Sequence, residues 1–199
     1  MIAWGFELGF KYGDLSPTEF AAKAVSMGYR WAALELDDYD NEQRWGPFRL
    51  SCQSAGLKAG PWYTDGGNVR NTPADADFTI AECESEGDRQ GILAATVPAG
   101  MRKAIITNFT PMTDGQGVPQ PEKAAPLIEA GWECLTECYM GEPNGASLNP
   151  DSMNFRATQQ LGWPRSQPVF GVYNYPLSGY QPYMTRFPAY GVYLAENVL

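Results

Sequence analysis

The chain has 199 residues, of which 44% are hydrophobic and 13% aromatic, and its formal net charge is -9 at pH 7. This length and apolar content predict one domain, residues 1–199, with a large buried core. The acidic balance argues against a nucleic-acid partner, because phosphates attract clustered Lys and Arg, and only 14 of these are spread along the chain. Histidine is absent, which excludes sites with a histidine base and the usual zinc and iron sites.

Other features of the composition narrow the class further. No apolar run approaches the ~20 residues of a membrane span, so we expect no membrane partner. The opening stretch MIAWGFELGFKYGD lacks the basic start and small-residue cleavage site of a signal peptide. The four cysteines have neither zinc-site spacing nor the density of a disulfide scaffold, so we predict buried thiols and leave a contact between the last two open. They are Cys52, Cys83, Cys134 and Cys138.

Apolar segments typical of strands alternate with helical patterns along the chain. The clearest helix follows the first segment, where SPTE offers Ser16 as N-cap, Pro17 at the first helical position and Glu19 to close a capping box, with Gly28 as the stop. Helices are also predicted over PFRLSCQSAG, PEKAAPLIEAG and NPDSMNFRATQQLG, the last with Asn149 as its cap. The third and seventh connections are rich in Gly and Pro and predict loops. The strand segments begin near Ile2, Trp31, Leu57, Phe78, Lys103, Trp132, Pro168 and Gly191.

About eight strands with helical connections predict an α/β fold, and specifically a compact, closed (β/α)8 TIM-like barrel that lacks a final helix. A doubly wound sheet is the weaker alternative, because no Gly-rich phosphate loop follows the first strand. The missing helix would leave Trp4 and Phe6 on a flank that another chain or a second copy could cover.

In such a barrel the functional residues lie where the strands end, and here the strand ends supply acids and aromatic rings. A carboxylate pair between aromatic walls is typical of glycoside hydrolysis. Glu84, Glu82 and Glu137 are the catalytic candidates, and the alternative is that these acids are structural or merely solvated. The substrate-binding candidates are Glu7, Glu35, Trp62, Tyr63, Asn108, Tyr139, Tyr173 and Asn174. No cofactor or resident metal is predicted; any bound ion would be a hard cation on oxygen ligands such as Glu82, Glu84 and Asp88.

The stretch AECE resembles the acid-x-acid signature of family 25 muramidases and, more distantly, that of chitinase-type barrels, and AGPWYT resembles their third strand. The resemblance implies that Glu84 protonates the glycosidic oxygen and that Glu82 supports it. The chain departs from the muramidases at Glu7, where they place an Asp, and the longer acidic signature of the chitinase type is absent.

A second stretch, ECYMGEPNGASLNPDSMNFRATQQLGWPRSQPVFGVYNY, is similar to the region between strands six and seven of small barrel domains in bacteriophage minor tail proteins. It implies a tail-associated virion protein that assembles in the host cytoplasm and contacts other virion proteins and a bacterial cell-wall or surface glycan. Three hypotheses therefore follow: a barrel that cleaves a glycan, a barrel that binds one without turnover, and an inactive structural or assembly protein.

Overall fold

The computed structural model describes residues 4–8, 16–26, 28–36, 39–138, 149–171, 177–187 and 191–193. Its strands are β1 (Trp4–Leu8), β2 (Trp31–Glu35), β3 (Lys58–Tyr63), β4 (Phe78–Glu82), β5 (Arg102–Thr107), β6 (Glu133–Cys138), β7 (Ser166–Gly171) and β8 (Gly191–Tyr193). Its α-helices are α1 (Pro17–Ser26), α2 (Tyr39–Ser54), α3 (Glu86–Ala94), α4 (Pro121–Glu129), α5 (Pro150–Phe155) and α6 (Gln181–Met184). Short 3-10 helices span Gly66–Asn71, Thr110–Met112 and Leu177–Tyr180, and a π-helical turn, Arg156–Gln160, continues α5.

All strand pairs are parallel, and those from β1 through β8 follow chain order. Strands β2 to β7 form a curled six-stranded parallel sheet. Strand β1 joins β2 through two residue pairs, and the three-residue β8 joins β7. Pairing also passes from β8 to β1, with a register shift between Trp4 and Phe6.

The predicted α/β fold with parallel strands is confirmed, and each strand begins within two residues of its expected start. The closed (β/α)8 TIM barrel is corrected to a curled parallel sheet of six strands, with the five-residue β1 beside β2 and the three-residue β8 beside β7. An eightfold repeat is not formed, because the segment after β3 is a 3-10 helix of six residues and the helical turns after β7 have only four residues each.

Local sequence explains the helix starts. In α1 the Ser16 hydroxyl accepts from the Glu19 amide at 3.3 Å, while the Glu19 carboxylate accepts from the Ser16 amide at 2.8 Å, which is the predicted capping box. Asn149 caps α5 by accepting from the Ser152 amide at 3.0 Å. Helix α3, whose cap is Ser85, is not among the helices predicted from the sequence.

The sheet separates two apolar cores, as the alternation of side chains along a strand requires. The convex core under the helices includes Leu34, Cys83, Ile105, Leu127 and Phe170. The concave core contains Ala33, Trp62, Phe78, Ile80, Ala104, Ile106, Leu135 and Val169.

All four cysteines are free and buried, as predicted. Burial raises the pKa of Cys52 and of Cys83 to about 12, and it also raises the pKa values of Cys134 and Cys138. These thiols therefore stay protonated and act as small apolar side chains. No helix in the described ranges has the length and hydropathy needed to cross a membrane.

Candidate functional site

Three glutamates occupy equivalent positions on the concave face, near the carboxyl ends of alternate strands. Glu35 ends β2, Glu82 ends β4, and Glu137 lies one residue before the end of β6. Each has the same parity as the concave apolar core on its own strand, so each is directed to that face. We call these three residues the glutamate layer.

The strand register places the three glutamates at one level. Following paired residues from Glu35 across two strands leads to the residue two places before Glu82. The same walk from Glu82 across two more strands leads to the residue two places before Glu137. This stagger of one residue per strand is the one that tilted parallel strands adopt, and it gathers side chains from alternate strands into a layer. Their Cα atoms should lie roughly 10 to 12 Å apart, given the spacing of neighbouring strands and the rise per residue.

The glutamate layer differs in exposure across the sheet. Glu137 is only 3% exposed, whereas Glu35 and Glu82 are half-buried. Directly beneath lies an apolar layer with the same stagger, formed by Trp62, Ile106 and Val169. The three glutamates therefore cover one end of the concave core, and the side chains beneath them are apolar and buried.

Glu84 lies outside this layer, on the exposed turn after β4. The side-chain amide of Asn108 approaches its carboxylate, with Nδ2 3.4 Å from Oε1. Asn108 is oriented because its Oδ1 accepts from the Thr110 amide at 2.9 Å, which leaves only the Nδ2 group to face the acids.

The residue after Asn108 is strained. Phe109 has φ 71°, in the left-handed region that a bulky side chain rarely adopts. Its ring is fully buried, and its amide donates to the Thr107 hydroxyl at 2.9 Å, while that hydroxyl donates to the Cys83 carbonyl at 2.8 Å. These bonds fix the end of β5 to the end of β4, so the position of Asn108 beside Glu84 is maintained by buried contacts.

The last two acids of the run AECESEGDRQG are structural. Glu86 pairs with Arg89 through bonds of 2.6 and 3.0 Å, and the hydrogen bonds from Arg89 and Gln90 lower the pKa of Glu86 to about 2. Asp88 completes the capping box of α3 by accepting from the Ser85 amide at 2.8 Å. No group of three or more acids, cysteines or histidines in the described part of the chain is arranged to hold a metal ion.

The remaining predicted site residues divide into three groups. Trp62 belongs to the concave core but is 4% exposed, so it forms the floor beneath the acids instead of an open stacking surface. Tyr63 is a correction: it is 1% exposed and packs in the convex core under the helices, because it follows Trp62 on the opposite face of the strand. Glu7 is placed on β1 by its backbone alone, and Tyr139, Tyr173 and Asn174 lie outside the described residues.

All three acids are among the residues that the sequence places at the strand ends of one barrel mouth. The muramidase resemblance ranks Glu84 first, whereas the layer depends on the stagger between strands. That stagger is set by pairing between distant segments, and no local pattern in the sequence records it.

No family model matches the chain, and no curated protein matches it. The resemblances to family 25 muramidases and to the barrel domains of phage minor tail proteins are therefore corrected, since neither a related family nor the expected eightfold barrel supports them. The virion location and virion partners rested on the second resemblance alone and stay untested predictions.

Proposed function

We propose that the glutamate layer, together with Glu84 and Asn108, forms a carbohydrate site at the carboxyl edge of the sheet, and that it binds and hydrolyses a bacterial cell-wall or surface glycan. The observation that carries the proposal is the convergence of Glu35, Glu82 and Glu137 from alternate strands above an apolar floor. The carboxylate chemistry does not depend on closure of the sheet or on any resemblance, and the bacterial glycan is kept as an untested prediction from the sequence.

The chemistry of glycoside cleavage needs two carboxyl groups with different environments. One donates a proton to the leaving oxygen, and the other acts as a nucleophile or activates water. Burial opposes ionisation of a carboxyl group, while exposure favours it. In the glutamate layer the buried Glu137 suits the proton donor and the half-buried Glu82 suits the second role.

Glu84 is better suited to binding than to proton donation. It is exposed and lies beside the amide of Asn108, which supports the charged carboxylate. One Nδ2 hydrogen of Asn108 is enough for that contact, so the second can reach a sugar hydroxyl. This assignment moves the proton donor from Glu84, the first choice on sequence grounds, to Glu137.

The test is hydrolysis of a panel of bacterial cell-wall and surface glycans by the parent protein and by two matched variants. Glu137→Gln should abolish turnover while glycan binding persists, because an amide keeps the shape but cannot donate the proton. Glu84→Gln should retain turnover and weaken binding. Melting temperatures should be recorded for all three proteins, so that loss of fold is separated from loss of chemistry.

Each outcome decides between the hypotheses. Turnover that survives Glu137→Gln and disappears in a folded Glu84→Gln variant would contradict the assignment of the acid. Binding without turnover in the parent would favour a recognition domain. Neither binding nor turnover across the panel would contradict the carbohydrate site and favour a structural protein, in which the acids are only solvated.

A further inference from the structure

A separate cavity lies at the opposite edge of the sheet, where β6 and β7 begin. Its volume is about 180 Å³. The wall is largely apolar, with Ile128 from α4, Pro164, and the indoles of Trp132 and Trp163, which are 4% and 3% exposed. A dry apolar cavity of about 150 Å³ is large enough to bind benzene, so this one can take a single aromatic ring.

Hydrogen bonds and packing hold the two tryptophans of the cavity wall in place, so a ligand would bind without the entropic cost of ordering these side chains. The Trp163 indole N–H donates to the Trp132 carbonyl at 3.1 Å, so the two tryptophans are fixed to each other. Lys103 lies over the Trp132 ring, with Nζ 5.1 Å from the ring centroid. Gly131, in the left-handed conformation with φ 80°, places Trp132 against the end of α4.

Two charged side chains, Glu133 and Arg165, line the cavity, and Glu133 is bound from outside it by Arg102. Arg102 binds Glu133 through both carboxylate oxygens, at 2.5 and 2.7 Å. Arg165 is 3.6 Å from the second of these oxygens, which is beyond hydrogen-bond distance, and its side chain is 72% exposed. Because Arg102 already neutralises Glu133, the guanidinium of Arg165 can accept another anion.

We propose that this amino-edge cavity binds a small aromatic carboxylate, with its ring between the two tryptophans and its carboxylate at Arg165. The inference concerns a site distinct from the glutamate layer and does not rest on the proposed carbohydrate function. In a chain of net charge -9, a cavity lined by Arg165 and by an acid that Arg102 already binds, with Lys103 over one of its tryptophans, is a locally favourable place for an anion.

The probe is benzoate, followed through the indole N–H resonances of uniformly ¹⁵N-labelled protein, with benzyl alcohol as a neutral ligand of similar shape and acetate as an anion without a ring. Benzoate should shift two indole resonances saturably, benzyl alcohol should shift the same two more weakly, and acetate should shift neither. Trp132→Phe and Trp163→Phe variants assign the two resonances.

Two variants separate charge from shape. Arg165→Gln should weaken the affinity for benzoate about 5-fold, which is the upper range for an exposed ion pair, and it should leave the affinity for benzyl alcohol unchanged. Arg165→Lys should restore most of the affinity for benzoate. Arg186 forms a surface ion pair with Asp151, so the control variant Arg186→Gln should leave the affinity for both ligands unchanged. Ile128→Phe should fill the cavity and reduce the affinity for both benzoate and benzyl alcohol.

The proposal is overturned if no indole resonance shifts saturably with benzoate. It is also overturned if benzyl alcohol binds as tightly as benzoate, or if Arg165→Gln leaves benzoate binding unchanged, because either result removes recognition of the carboxylate. Since Arg165 is exposed, its variants should fold, and the Arg165→Lys protein provides a second reading if Arg165→Gln is destabilised.

Discussion

The two edges of the concave face handle acidic side chains in different ways. At the amino edge Glu133 is bound by two nitrogens of Arg102, Nε and Nη2, and the Arg102 guanidinium also lies 5.1 Å from the centre of the Trp31 ring. At the carboxyl edge Glu35, Glu82 and Glu137 come together from alternate strands. A compensated acid such as Glu133 stabilises a fold, and carboxyl groups that converge from several strands are common at functional sites.

The core between the two edges should be the region most sensitive to substitution. A Cβ atom added at Gly60 would lie 2.4 Å from the Phe78 carbonyl oxygen and 2.6 Å from its ring. Gly60→Ala should therefore reduce the free energy of unfolding by about 3 kcal/mol, since backbone as well as a buried ring must move. Urea denaturation measures the change.

Gly46, in the exposed part of α2, is the matched control. A Cβ there would meet nothing within 4 Å beyond the neighbouring residues, and the better helix propensity of Ala is offset by Pro47, which disfavours helical backbone in a preceding residue that has a Cβ, so Gly46→Ala should change the free energy of unfolding by less than about 1 kcal/mol. A Gly60→Ala protein as stable as the parent would show that the packing of β3 against β4 is looser than described here.

The compensated acid at the amino edge gives the next largest effect. Glu133→Gln should cost about 2 kcal/mol, because it leaves the half-buried Arg102 without its carboxylate. Asp151→Asn, at an ion pair whose side chains are both 54% exposed, should cost less than about 0.5 kcal/mol. Equal effects in chemical denaturation would contradict the special role assigned to the Arg102 pair.

Acid titration measures the contribution of Glu86, the structural acid that pairs with Arg89. Because the folded pKa of Glu86 is lowered to about 2, its contribution is complete above the unfolded value near 4.5 and is lost as the pH falls toward 2. The side chain is 53% exposed, so solvent screening should limit the contribution to less than about 1 kcal/mol. Melting temperatures from pH 6 to 2 should fall less steeply in Glu86→Gln; parallel curves would show that the Arg89 pair adds nothing.

The sequence predicted the strands and the capped helices α1 and α5, because these depend on local signals such as the Ser16 capping box and the alternation of apolar residues. It did not predict α3, although Ser85 and Asp88 form a capping box there. The predicted strand ends placed Glu35, Glu82 and Glu137 at the carboxyl edge of the sheet, and the alternation of residues along each strand placed them on its inner face. The sequence did not place Tyr63 in the same way. Trp62 and Tyr63 are adjacent at the end of one strand and so face opposite sides of the sheet, and only the folded sheet shows which side carries the acids. The sequence also could not show the amino-edge cavity, whose wall joins residues from α4, β6 and the turn before β7.

The comparison of the two edges is tested most directly by mapping glycan binding onto the folded protein. Glu137→Gln, which should bind without turnover, is titrated with a cell-wall oligosaccharide while the indole resonance of Trp62 and the side-chain amide of Asn108 are followed. We predict saturable shifts at both, with no change at Trp132 or Trp163. Shifts confined to the two amino-edge tryptophans, or none at saturating oligosaccharide, would contradict the assignment of the glutamate layer as a carbohydrate site.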